Sequence, residues 1–405
     1  MAYDNLNSDA FDVVVVGGGP AGATAAEDLA RAGRSVLLLD KRGRIKPCGG
    51  AVPPRLIRDF DIPEAQIVAR SRSAMMVAPS GARVDMPIDG GSVGLVDREH
   101  FDEFLRERAV SAGAARVDGA FRSLSRDERG GMIVEYRPKD ADKDAPPSRI
   151  RARMVIGADG ANSAVARDAI PGGGETPFVF AYHEVIRSPE SPDEHFDAAR
   201  CDIYYQGNLS PDFYAWVFPH GATASVGVGS ARKGFALREA VAKLRSKTGL
   251  DALETIRCEG APIPLKPLKR WDNGRDVVVA GDAAGCVAPA SGEGIYYAMI
   301  GGRMAAESVD EAIRTGDSRA LARCRKRYMA EHGKVFFVLG VMQHFWYRND
   351  RRRERFVSIC RDPDVQRLTW DAYMNKSLGK PDHAAHMRIF FKDLAHLFGV
   401  VSPQR

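Results

Sequence analysis

The stretch Phe11-Asp-Val-Val-Val-Val-Gly-Gly-Gly-Pro-Ala-Gly22 decides the fold. A short β-branched run ended by glycines reads as a buried strand of a parallel sheet. Gly17–Pro20 form a turn, Ala21–Ala32 an Ala-rich helix stopped by Gly33, and Ser35-Val-Leu-Leu-Leu-Asp40 the next strand. Strand, turn, helix and strand in that order close a right-handed crossover and call for a parallel sheet. In Gly17-x-Gly19-x-x-Gly22 each glycine has its own task. The first permits the tight turn, the second lets the backbone approach a pyrophosphate, and the third allows close helix–strand packing, with phosphates at the positive helix N-terminus. Asp40 ends the second strand where a carboxylate meets a ribose hydroxyl. The unit binds a dinucleotide, and the motif by itself does not say which one.

Outward from this unit, Val96–Gly113 reads as a helix with Phe101, Phe104, Leu105 and Ala109 on one face. Strands are expected at Gly131–Tyr136 and Arg151–Ile156, separated by the polar surface loop KDADKDAPPS. From Phe178 to Gly229, Tyr, Phe, Val and Trp recur between turn residues, the pattern of an antiparallel sheet. Asp276–Ala280 returns to the parallel-strand style, and from Gly294 onward the chain is mainly helical. The expected architecture is α/β. A discontinuous Rossmann-like dinucleotide-binding domain takes 10–70, 95–175 and 265–330, an inserted antiparallel β domain takes 71–94 and 176–264, and a helical region takes 331–405.

The 405 residues exceed one ordinary core, at roughly 100–200 residues per domain. With 44% hydrophobic and 27% charged residues the composition is that of a soluble globular protein. A net charge of +5, mostly from interleaved acids and bases, does not argue for nucleic acid. Cys48, Cys201, Cys258, Cys286, Cys324 and Cys360 show no C-x-x-C pair and no histidine at metal-ligand spacing, which fits a reducing cytoplasm and argues against zinc. The opening MAYDNLNSDA is too polar for a signal peptide, and no stretch reaches the roughly 20 apolar residues that span a bilayer. A cytoplasmic protein is expected, with peripheral membrane contact at most. Val335–Met342, His344-Phe-Trp-Tyr347 and the cluster Arg348–Arg355 place aromatics beside arginines, as at a lipid headgroup interface or in a core helix followed by a solvated basic one.

Two segments choose the dinucleotide. Ile156-Gly-Ala-Asp-Gly-Ala-Asn-Ser163 follows a strand and resembles the D-G signature of flavin hydroxylases; Asp159 there could equally cap the following helix. Val279-Ala-Gly-Asp-Ala-Ala-Gly285 resembles the G-D signature whose aspartate, here Asp282, accepts hydrogen bonds from the ribityl chain. The cofactor is therefore FAD, on a fold of the flavin-hydroxylase type. Lys46-Pro-Cys-Gly-Gly-Ala-Val-Pro-Pro-Arg55 and Pro211-Asp-Phe-Tyr-Ala-Trp-Val-Phe-Pro219 narrow the choice. They resemble the corresponding segments of geranylgeranyl reductases, as do Asp97-Arg98 and Pro289–Ile295, and the likeness is nearest to the bacteriochlorophyll-type branch.

That resemblance implies an enzyme taking hydride from NADPH onto FAD and reducing three of the four double bonds of a geranylgeranyl group to phytyl. The substrate would be geranylgeranyl-bacteriochlorophyll or the free diphosphate. Together with the motifs it implies FAD contacts at Gly17, Gly19, Pro20, Ala21, Gly22, Asp40, Lys41, Cys48, Gly49, Gly50, Ala51, Arg98, Ala120, Asp159, Gly160, Ser163, Gly281, Asp282, Gly292, Gly294 and Ile295. Tyr214, Trp216 and Phe218 alternate along one strand and so share a face, as the wall of an apolar tunnel, as plain core, or as both. Cys48 is either an acid for the proton half of alkene reduction or a packing residue, and Tyr204, Tyr205 and His183 are further candidate donors. An aromatic monooxygenase on the same scaffold, or a prenyl-binding escort, are the alternatives.

Overall fold

The computed structural model describes residues 10–41, 45–142 and 145–376. The N-terminal segment up to Asp9 and the tail from residue 377 lie outside them, as do two residues of the 139–148 loop. The chain forms two compact units. One comprises the chain to Ile45, Glu99–Phe178 and Pro262–Phe336; the other comprises Lys46–Arg98, Val179–Ala261 and the chain from Phe337.

In the first unit Phe11–Val16 lies at the middle of a parallel sheet, between Val36–Asp40 and the end of Ser148–Gly157. The start of Ala115–Arg126 pairs outside Val36–Asp40, and Val277–Val279 pairs outside Ser148–Gly157. Val13, Val14 and Val15 are fully buried, as a strand covered on both faces requires. The two long strands each serve twice. Their other halves leave the parallel sheet and flank Met132–Pro138 in an antiparallel meander. Helix Pro20–Arg31 begins on a proline at its first turn and packs on helix Ile295–Thr315.

The second unit is built on a seven-stranded sheet. Its order is Thr255–Pro264, Phe178–Arg187, Thr223–Ser230, Ala215–His220, Arg200–Tyr204, Ser73–Val77 and Arg83–Pro87. Helix Leu237–Lys247 covers one face, where Val241 and Leu244 meet Ala215, Val217, Val226 and Val228, all buried. A small sheet joins Ala51–Val52, Val93–Leu95 and Ala69–Ser71.

The domain boundaries differ from the expected ones. Residues 46–70 group with the β unit because Ala51–Val52 pairs with Val93–Leu95, a partner that local sequence does not announce. Residues from Phe337 join the same unit, where helix Pro363–Asn375 packs on helix Pro54–Asp59. Among the elements not expected are strand Ala115–Arg126, interrupted in sequence by Asp118-Gly119; helix Leu237–Lys247; and strand Thr255–Pro264.

Candidate active site

In the first unit the three glycines separate by geometry. Gly17 has φ +103°, and a Cβ on it would lie 2.3 Å from the Ala158 carbonyl oxygen. A Cβ on Gly22 would lie 1.8 Å from the Gly17 oxygen. Gly19 is different: its backbone is extended, and a Cβ there would meet nothing within 4 Å. Gly19 also precedes Pro20 and Ala21 at a helix start with no side-chain cap. Unbonded first-turn amides beside an open glycine fit a pyrophosphate.

At the end of the second strand Asp40 accepts a hydrogen bond from the Gly18 N–H at 2.9 Å and another from Arg106 Nη1 at 3.3 Å. Arg106 also donates to the Gly18 carbonyl. Arg106 was not among the expected residues, since nothing in its local sequence shows that helix Arg98–Ser111 points it at the glycine turn. Lys41 follows Asp40 and is exposed. Asp40 is paired in register with Asp118, two residues before Ala120, so this end of the sheet gathers the expected ribose-side residues.

Asp159 behaves as a helix cap. Its carboxylate accepts from the Ser163 hydroxyl, from Ala164 N–H at 2.7 Å and from Val165 N–H at 3.2 Å. Ser163 Oγ in turn accepts from Ala166 N–H. Burial raises the Asp159 pKa above the ordinary carboxylate value, and these bonds oppose the shift. The capping alternative is thus realised: Asp159 and Ser163 shape the loop around Gly160, which has φ +88°.

Asp282 follows strand Val277–Val279 in the short turn Gly281–Ala284. A Cβ on Gly294 would come within 3.7 Å of its Oδ1. Gly294 heads helix Ile295–Thr315, again without a side-chain cap, and Gly292 before it has φ +64°. A carboxylate beside an uncapped helix start offers an acceptor and donors together, which suits a ribityl chain next to a phosphate.

In the second unit, Lys46–Gly50 lies against strand Ala215–His220. A Cβ on Gly49 would fall 2.7 Å from the Phe218 ring, and one on Gly50 2.6 Å from His220 Nε2. The Gly50 N–H donates to Cys48 Sγ at 3.3 Å, and Ala51 pairs with Leu95. A small cleft is lined here by Cys48, Arg98, His183, His220, Ser225 and Glu259, among others. Burial pushes the His220 pKa down to about 4.

The three aromatics do share a face. Trp216 lies between Tyr214 and Phe218, with ring centroids 6.0 and 6.4 Å away. The alternate residues Ala215 and Val217 face the helix-covered core. Tyr204 pairs with Ala215 and lies in that same core, 1% exposed, so the expectation that it acts in catalysis does not hold. Strand alternation turns it to the wrong face. Tyr205 points the other way, into a cluster with Tyr214, Tyr347 and Phe356. Behind Trp216 lies a polar chain: its Nε1–H donates to Ser225 Oγ at 3.0 Å, and His183 links Ser225 (2.8 Å) to Glu259 (2.8 Å). Arg257 pairs with Glu259 at 3.0 Å and donates to Asp97.

Further along, Phe337, Val338 and Val341 are exposed, and the Arg352 guanidinium lies 4.2 Å over the Phe345 ring. The following helix is not simply a solvated basic one. Arg353 is completely buried and donates to the Tyr347 carbonyl at 2.7 Å. No helix among the described residues is long and apolar enough to cross a membrane.

An open glycine turn, a ribose-side carboxylate and a second carboxylate beside a glycine-led helix define a flavin-hydroxylase-type FAD-binding protein. The profile of the family described as an FAD binding domain matches residues 10–328. A geranylgeranyl diphosphate reductase of Rhodobacter capsulatus is 55% identical over 97% of this chain and 99% of its own length. One from Synechocystis is 36% identical, covering 95% of this chain and 97% of that protein. Among solved structures, a geranylgeranyl bacteriochlorophyll reductase-like protein of Thermoplasma acidophilum superposes with a TM-score of 0.77 at 22% identity, over 93% of this chain and 99% of that one. A flavin-dependent brominase shares the fold at TM-score 0.73 and 17% identity, over 95% and 99% of the two chains. The chain belongs to the geranylgeranyl reductase family of FAD-dependent oxidoreductases.

Proposed function

We propose that the protein reduces three of the four double bonds of a geranylgeranyl group to give phytyl, on bacteriochlorophyll or on the free diphosphate, with NADPH as reductant. The observation that carries this reading is the aromatic face of Tyr214, Trp216 and Phe218, in the same unit as the Cys48 cleft. A prenyl chain offers no polar handle, so its site is a wall of aromatic and aliphatic side chains. The names of the relatives support the substrate class.

FAD, when bound, supplies the hydride. The protein's own residues do the rest. Gly19 and the following helix start receive the pyrophosphate, Asp40 and Asp282 accept from sugar hydroxyls, and Asp159 with Ser163 holds the loop between them. Each double bond also needs a proton on the adjacent carbon, and we assign it to the Cys48 thiol: Sγ accepts from Gly50 N–H, leaving the S–H to donate. No second dinucleotide motif occurs in the sequence, which supports transient docking of NADPH. Exposed Phe337 and Val341, followed in the chain by the exposed Arg348 and Arg351, support contact with an anionic membrane face.

Anaerobic incubation of the NADPH-reduced holoprotein with geranylgeranyl-bacteriochlorophyll, and separately with geranylgeranyl diphosphate, tests the reading by product mass. Two hydrogens should be gained per double bond, three times over, on at least one substrate. Unchanged mass on both refutes it.

A further inference from the structure

The polar chain behind Trp216 runs in one direction only. Indole Nε1–H is a donor and nothing else, so Ser225 Oγ accepts at 3.0 Å. The Ser225 hydroxyl hydrogen is free to point to His183 Nδ1 at 2.8 Å, which we assign as the acceptor. An unprotonated Nδ1 puts the imidazole hydrogen on Nε2, facing Glu259 Oε2 at 2.8 Å, where a carboxylate accepts it. Arg257 closes the far end against the other Glu259 oxygen. The tautomer with its hydrogen on Nε2, assigned here from the network, gives a donor and an acceptor at each link.

The chain adds a directional bond to a ring that already packs between Tyr214 and Phe218. A Cβ on Gly227 would lie 2.1 Å from indole Cζ2, so the indole packs closely on bare backbone. The second side-chain torsion of an aromatic ring has a broad well, so packing alone defines its angle less sharply than a hydrogen bond does. The Ser225 bond is the directional restraint, and His183 orients the Ser225 hydroxyl.

We infer that Ser225 and His183 are positioning residues: they set the orientation of the Trp216 indole, and that orientation sets which double bonds of the prenyl chain are presented for reduction. The inference rests on the proposed reading of this face as the prenyl wall. It gives His183 an orienting role, with Nδ1 turned to Ser225 and Nε2 turned to Glu259.

The test uses the FAD-loaded full chain, tryptophan-labelled with nitrogen-15, in which four indole signals arise and Trp216→Phe identifies one. The variants are Ser225→Ala, His183→Gln and His183→Asn. Asparagine places its amide oxygen near the Nδ1 position and keeps the acceptor for Ser225, whereas glutamine reaches toward Glu259 and abandons it. Solvent exchange of the Trp216 Nε1–H should quicken by about tenfold or more in Ser225→Ala and His183→Gln and stay near wild type in His183→Asn. With geranylgeranyl diphosphate, the first two variants should accumulate partly reduced products while flavin reduction by NADPH is unchanged, and His183→Asn should keep the wild-type product ratio. An unaltered indole signal in Ser225→Ala overturns the inference. So does an equal slowing of alkene reduction by both His183 variants at an unchanged product ratio, which would make His183 itself the acid. A wild-type protein that reduces no geranylgeranyl substrate refutes the functional reading together with the product-ratio half of the inference; the indole signals decide the positioning half by themselves.

Discussion

Gly19→Ala separates the cofactor's needs from the fold's. Gly19 has φ −75° and ψ −176°, a conformation open to any residue, and its Cβ would meet no protein atom within 4 Å. Removing a glycine at an unstrained position stabilises by about 0.4–1 kcal/mol through the unfolded chain. Alanine is a poorer helix N-cap than glycine by a similar amount, so the apoprotein should change by no more than about 0.5 kcal/mol. The holoprotein should suffer. A methyl group in the space the pyrophosphate needs displaces at least one charge-assisted bond, costing about 1.5–3 kcal/mol, or roughly ten- to a hundredfold in FAD affinity. By linkage a hundredfold weaker Kd removes about 2.7 kcal/mol of stabilisation at saturating FAD. That corresponds to a Tm lower by on the order of 5 °C in the holoprotein alone. Melting of wild type and variant, each with and without FAD, combined with flavin titration, reads both quantities. Equal FAD affinity would show that the pyrophosphate does not cross Gly19. A loss of more than about 2 kcal/mol in the apoprotein would show that Gly19 is structural, the outcome expected instead for Gly22→Ala, whose methyl meets the Gly17 oxygen at 1.8 Å.

Asp282→Ala should cut flavin retention through dialysis, with affinity roughly ten- to a hundredfold weaker for one lost charge-assisted bond. Cys48→Ser should slow alkene reduction by about 10²–10⁴-fold with flavin reduction by NADPH near wild type; a change below about tenfold in single-turnover rates would leave Cys48 a packing residue. His220 predicts an acid-side loss of stability. The unfolded chain takes up its proton near pH 6.5 and the folded protein only near 4, so stability falls across that window and the penalty is complete below it. For a ring still partly exposed this is worth about 2 kcal/mol, and His220→Gln should flatten the denaturant midpoint between pH 7 and 4 by that amount; an identical pH slope in the variant would refute the assignment.

What the sequence made legible was what depends on spacing. Gly17, Gly19 and Gly22 occupy their three environments because a strand–turn–helix leaves little choice, and Tyr214, Trp216 and Phe218 share a face because strands have period two. Pairing was harder. Tyr204 and Tyr205 are neighbours, so one had to face each side, and only the register Tyr204↔Ala215 shows which. A slip of one residue would have exchanged them. Asp159 was ambiguous because a carboxylate in a turn before a helix has the same local signature whether it caps or binds. Residues 46–70 group with the β unit, which local sequence did not mark, because the strand partners of Ala51 and Val52 lie more than forty positions away. Arg106 was missed for the same reason: its role is set by which way helix Arg98–Ser111 turns it toward Asp40.

The two faces of the Ala215–His220 strand obey different rules, and the contrast bears on function. On the helix side Ala215, Val217, Val226 and Val228 are buried and apolar, the arrangement that favours stability by removing hydrocarbon from water. On the other side His183 and Ser225 are each 2% exposed and polar. Burying such groups is unfavourable until every donor and acceptor is matched, and even then the net gain is about 1 kcal/mol per bond. An apolar set of similar volume would stabilise this face at least as well. What a fully matched chain adds is direction: each bond has one geometry, whereas apolar packing tolerates rotation and slippage. A long prenyl chain binds by contact alone and has no hydrogen bond with which to set its own register. Under the proposed reading the register comes from the wall, and the Nε1–H bond to Ser225 adds one fixed direction to the packing of Trp216 against Tyr214, Phe218 and the bare backbone of Gly227.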